Sequence, residues 1–109
     1  MKKRPNIVII NPDQMRADSM FHLGNPAAVT PNLDELAKEG VSFAHAFCQN
    51  PVCTPSRCSF MSGWYPHVAG HRTMNHMMHE HEPVLLKRLK EHGYHVWMNQ
   101  RNDLLPAQN

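Results

Sequence analysis

Three short apolar runs divide the chain. "NIVII", residues 6–10, is a β-branched run without polar alternation, the pattern of a strand covered on both faces in a parallel sheet. "VSFAHAF", residues 41–47, alternates apolar with small or polar positions at period two and predicts a second strand; "YHVWM", residues 94–98, predicts a third. Between them the spacing changes to that of helices. "TPNLDELAKEG", residues 30–40, has Thr30 as N-cap, Pro31 in the first turn, acidic Asp34 and Glu35 early, Lys38 late and Gly40 as the stop, with Leu33, Leu36 and Ala37 forming one apolar face. Pro55 opens a short helix through Met61 that Gly63 closes, and "EPVLLKRLKEHG" repeats the grammar with Pro83, Leu85, Leu86, Leu89 and Gly93. Residues 25–29 and the His- and Met-rich stretch before Glu82 read as loops.

Strands alternating with helices imply an α/β architecture: a partial parallel or mixed sheet with flanking helices and right-handed crossovers. Three strands make a thin sheet, and "NQRNDLLPAQN", residues 99–109, supplies no closing element. The pattern is therefore expected to be the first part of a larger α/β domain.

Composition narrows the partners. With 109 residues the chain has room for about one small domain and one core, and 41% apolar against 18% charged residues predicts a folded chain. A net charge of +2, with basic residues clustered only at Lys2-Lys3-Arg4 and Lys87-Arg88, argues against a nucleic-acid partner. The apolar run after the basic start is cut by Asn11, Pro12 and Asp13, so neither a signal peptide nor a membrane span is expected and a cytoplasmic setting fits. Three cysteines, an odd number, are expected to be reduced.

The densest chemistry lies in "NPVCTPSRCSF", residues 50–60. Ligands of open parallel sheets collect beyond the carboxyl ends of the strands. Asp13 follows the first expected strand and Cys53 the second, so both are expected at one crevice. Cys53 also stands immediately before an expected helix N-terminus, where backbone N–H groups and the helix dipole favour anions, and Arg57 lies one turn further on. A thiol there would be reactive.

"CTPSR" resembles the C-x-P-S-R core of the sulfatases, whose cysteine is oxidised to formylglycine. "RPNIVIINPDQMRAD", "TPNLDELAKEGVSFAHAF" and "MSGWYPHVAGH" resemble that family's opening strand and acidic metal-binding pair, its first helix and second strand, and the segment after its nucleophile helix; the likeness runs over roughly residues 4 to 100. It implies the N-terminal part of an alkaline-phosphatase-like α/β fold and hydrolysis of sulfate esters of small molecules or sugars. Hydrated formylglycine at position 53 would attack sulfur and expel the alcohol, and collapse to the aldehyde would expel sulfate. A divalent cation, calcium in most of the family, would be held by Asp13, Gln14 and the modified Cys53, with Arg57 steadying the nucleophile. A formylglycine-generating maturation enzyme is the implied partner, reading the extended C-x-P-x-R segment before folding hides it.

Two departures stand out. Where many sulfatases carry adjacent acids this chain has Asp13-Gln14, which costs one negative charge and implies weaker metal binding. Where many carry Lys-x-His it has Arg101-Asn102-Asp103, so Arg101 replaces the sulfate-contacting lysine and Asp103 is a poor proton donor. The family's later metal ligands have no counterpart here, so the chain is expected to be an incomplete segment, inactive alone. The same nucleophile suits phosphonate or phosphate esters, and an unmodified Cys53 would leave a silent metal-binding fragment. Simpler roles stand beside these: Cys48 and Cys58 as small buried side chains, Asp13 as a turn former, Trp64 and Trp97 as packing residues, and His71, His76, His79 and His81 as a solvated loop.

Overall fold

The computed structural model of the chain describes residues 4–99, which divide between Ala46 and Phe47 into two compact units. The first opens with two single 3-10 turns, Ala17–Ser19 and Phe21–Leu23, followed by helix α1, Pro31–Glu39. Thr30 is the N-cap residue but does not cap with its side chain. Its hydroxyl donates to Asp34 Oδ1 at 3.1 Å and accepts the Phe21 N–H at 3.1 Å, so it joins the helix to the preceding turn. Of the expected apolar face, Leu33 and Ala37 are half-buried while Leu36 is 62% exposed. Gly40 ends α1 without a left-handed backbone; a Cβ there would lie 3.1 Å from the Leu36 carbonyl oxygen, so close approach is what the position requires.

The second unit holds α2, Cys53–Ser62, α3, Pro66–Ala69, and α4, Leu85–Glu91. Helix α2 begins two residues before Pro55, at Cys53, with Val52 as N-cap in extended conformation. At the other end the Ser59 hydroxyl donates to the Trp64 carbonyl at 2.6 Å, and Ser62 Oγ donates to the Cys58 carbonyl while accepting the Trp64 N–H. These side chains tie the end of the helix to the residues that follow it. Helix α3 was not expected from the pattern, although proline at its first position and Gly70 after it are the usual punctuation. Helix α4 ends with the Tyr94 N–H on the Leu89 carbonyl and the Gly93 N–H on the Lys90 carbonyl. Gly93 carries the positive φ of 81° that such a stop demands.

The core of this unit lies on one face of α2. Thr54, Pro55, Cys58 and Ser59 are buried there, and Met78 covers Cys58 with Met61 and Val84 packed around the pair.

The three expected strands are corrected: no strand forms among the described residues. Residues 6–10, 41–47 and 94–98 carry no ladder, and Val8, Val41, Phe47 and Trp97 are at least 75% exposed. The reason is physical. A helix closes its hydrogen bonds within one segment, whereas a strand exists only where another strand takes its N–H and C=O groups. β-Branched character favours extended backbone but cannot supply that second strand. Trp64 and Trp97 are likewise exposed, not packed inside. Among the described residues no helix is long and apolar enough to cross a membrane.

Candidate functional site

The chemistry of residues 50–60 is built on α2. The Asn50 side chain accepts the Val52 N–H at 2.9 Å, which shapes the entry into the helix, and the Ser56 N–H donates to the Val52 carbonyl as the first intrahelical bond. Cys53 is therefore the first residue of the helix, one position inside the expected boundary, and is half-buried. Pro55, third in the helix, has no N–H to leave unpaired and its fixed φ suits the first turn. Arg57 stands four residues on, one turn along the same side, and is half-buried too. Behind them, Thr54, Pro55, Cys58 and Ser59 anchor the opposite side in the core. The helix thus presents Cys53 and Arg57 from a fixed base.

The three thiols are free and differ sharply in setting: Cys48 is exposed, Cys53 intermediate and Cys58 buried. The expectation that Cys48 is buried is corrected, since it lies in the stretch before α2 with no core beside it. Burial pushes the Cys58 thiol up to about 11; the nearby Glu82 charge adds to this, against hydrogen bonds from the Cys58 and Met78 backbone.

Asp13 and Gln14 form a turn in the first unit. Gln14 adopts φ 54°, the one positive φ at a residue other than glycine among those described. A glutamine there costs roughly 1–2 kcal/mol relative to a right-handed conformation, and such strain concentrates where a backbone is held for a purpose. Asp13 stands at the first of these two turn positions. Arg101 lies outside the described residues, as do Gln100, Asn102 and Asp103.

Two titratable networks escaped the linear pattern. In the first unit, Asp34 Oδ1 takes the His22 N–H at 3.1 Å and lies 3.0 Å from His22 Nδ1. Burial pushes the Asp34 carboxyl up, but the His22 ring and N–H and the Thr30 hydroxyl outweigh it and hold it below its ordinary value. In the second unit, His71 and Glu82 are 3% and 2% exposed and meet at 2.7 Å between Nε2 and Oε2. The histidine-rich stretch is thus not wholly solvated. His76, His79 and His81 are exposed, with the His79 and His81 rings stacked at 5.6 Å, but His71 is interior. Among the described residues no three His, Cys, Asp or Glu side chains gather closely enough to hold a metal ion.

Comparison with known proteins places these features in context. The sulfatase family model matches residues 5–109. The chain is 39% identical over 93 residues to an ulvan-active sulfatase of Formosa agariphila, covering 85% of this chain and 18% of that protein. It is 33% identical over 107 residues to an arylsulfatase of Clostridium perfringens, covering 97% of this chain and 22% of that one. Against the steryl-sulfatase of Homo sapiens it is 40% identical over 67 residues, 62% of this chain and 12% of that protein. The chain spans about a fifth or less of the length of these relatives. No solved structure matches it.

Proposed function

The chain belongs to the sulfatase family, and from that premise we propose that it is the N-terminal segment of a sulfuric ester hydrolase whose nucleophile is formylglycine made from Cys53. The observation that carries this reading is the placement of Cys53 at the first position of α2 with Arg57 one turn on, in the sequence Cys-Thr-Pro-Ser-Arg. The family's alkaline-phosphatase-like α/β fold belongs to the same proposal. In it, residues 6–10, 41–47 and 94–98 become strands once the rest of the sheet pairs with them.

A divalent cation, calcium by preference, would be held by Asp13, Gln14 and the modified Cys53 and would supply a Lewis acid, while the modified residue would supply the nucleophilic oxygen. The donors present suit a hard cation: Asp13 offers a carboxylate and Gln14 an amide carbonyl at consecutive positions of a turn, both oxygen ligands of the kind calcium takes. They form part of a ligand set. Arg57 holds negative charge at the nucleophile with a planar, permanently charged fork, and the N-terminus of α2 favours the same sign. Arg101 takes the place of a sulfate-contacting lysine. The substrate is a sulfated small molecule or sugar, and a formylglycine-generating enzyme acts on residues 53–57 before they coil. Burial of Thr54 and Pro55 in the folded helix supports that order of events.

Asp13, Gln14 and the modified Cys53 would be a partial ligand set, and the 109 residues are expected not to turn over alone. The test is hydrolysis of an aryl sulfate and an aryl phosphonate by the full-length protein and its Cys53→Ala variant. Faster sulfate turnover that vanishes with Cys53 supports the reading, faster phosphonate turnover moves the enzyme to a sister activity, and turnover unaffected by Cys53→Ala overturns it.

A further inference from the structure

Between α3 and α4 the chain runs without regular structure from Gly70 to Pro83, yet it contains the most buried charged groups of its unit. It starts from a fixed point, the His71 N–H donating to the Pro66 carbonyl at 2.8 Å. The His71 ring is then held at both nitrogens. Nδ1 lies 2.6 Å from the His76 carbonyl oxygen and Nε2 lies 2.7 Å from Glu82 Oε2. The second Glu82 oxygen accepts the His79 N–H at 2.8 Å, so the carboxylate is tied both to His71 at the start of the stretch and to the backbone just before itself.

A carbonyl oxygen accepts and cannot donate, and an ionised carboxylate likewise only accepts. With Glu82 ionised, this geometry is met by a ring that donates from both nitrogens, an imidazolium paired with the carboxylate in the interior. The groups facing it are few: His79 on the same stretch and, from α2, the Cys58 thiol, which feels the Glu82 charge. Neutralising either partner strands the other charge in the interior.

The strap this pair closes rests on α2. Met78, between the tied residues, is 5% exposed and covers Cys58, which is 0% exposed, while Val84 just beyond Glu82 joins the same cluster. We infer that the His71–Glu82 ion pair is a clamp that holds residues 70–84 against the buried face of α2, and that His71 is thereby a positioning residue for Cys53. The second half rests on the reading of Cys53 as nucleophile; the first half does not.

The clamp is tested in the full-length wild-type protein by proton–nitrogen correlation spectra of the His71 ring at neutral pH. Two protonated ring nitrogens are expected, and one bare nitrogen overturns the clamp. A second measurement reads Cys58 directly, by the rate of iodoacetamide labelling resolved peptide by peptide, with exposed Cys48 as internal reference. His71→Gln and Glu82→Gln are each expected to raise Cys58 labelling relative to Cys48 by at least about tenfold, because the strap opens more often. Protection unchanged within about twofold in both variants overturns the clamp.

The positioning role is read from kinetics per formylglycine-bearing molecule. His71→Gln is expected to lower kcat with KM unchanged, and an unchanged kcat in a variant whose Cys58 has lost protection overturns positioning while leaving the clamp. If wild-type turnover proves independent of Cys53, the nucleophile reading fails, and the ring spectra and Cys58 protection still decide the clamp.

Discussion

Cys58, with no exposed surface, packs against Met78 from a stretch that has no regular secondary structure, and this contact is the centre of the core described for residues 47–99. Met78→Ala removes most of the cover and leaves a cavity beside the helix. The expected cost is about 2–4 kcal/mol, at the lower end if the strap collapses inward. Urea unfolding followed by circular dichroism checks it, and a loss under about 0.5 kcal/mol would mean that the strap does not rest on the helix in solution.

Acid lability follows from Glu82. Its burial raises the carboxyl, but the His79 N–H, the His71 hydrogen bond and the charges of His71 and His79 outweigh that and bring it below its ordinary 4.5. A carboxyl depressed in the folded state contributes stability above 4.5 and loses it as pH falls through the folded value. The stability difference between wild type and Glu82→Gln is therefore expected to be full at pH 7 and to shrink steadily below pH 4.5. A difference that stays constant to pH 3 contradicts this.

Thr30 links the first turn of α1 to the 3-10 turn at Phe21 through one hydroxyl. Thr30→Val keeps the shape and removes both bonds, with an expected loss of about 1 kcal/mol; Thr30→Ser keeps the hydroxyl and loses less than half of that. Thermal unfolding of the two variants side by side distinguishes the hydroxyl from the methyl group.

The turn at Asp13-Gln14 separates backbone strain from metal binding. Gln14→Gly relieves the positive φ and is expected to stabilise by up to about 1 kcal/mol, while lowering calcium affinity by removing the amide oxygen. Gln14→Asp restores a second carboxylate and is expected to raise calcium affinity by roughly tenfold. Calorimetric titration of the full-length protein checks both; equal affinity in all three forms would remove Gln14 from the ligand set.

The helices were legible in the sequence because their signals are local. Pro31 and Gly40 bracket α1, Gly63 and Gly93 close α2 and α4, and each signal acts within a turn of where it stands. Tyr65-Pro66 and Gly70 carry the same local information for α3, masked in the pattern by the histidine-rich stretch that follows. The strands expected at "NIVII" and "VSFAHAF" do not form among the described residues, since a strand depends on a partner that local propensity does not contain. The burial of His71 depends on a residue eleven positions away with no periodicity joining them, so composition suggested a wet loop where the fold builds an ion pair. Cys48 and Cys58 show the same limit: one residue type and opposite burial, with Met78 covering Cys58 from twenty positions away.

The central claim is that position 53 is chemically converted before it acts. Mass measurement of the peptide carrying residues 53–57, taken from the full-length protein matured in a host with a formylglycine-generating enzyme, tests it most directly. The expected result is a mass about 18 Da below that of the cysteine form, with loss of iodoacetamide labelling at that position. An unmodified Cys53 in protein that hydrolyses aryl sulfates at full rate would contradict it.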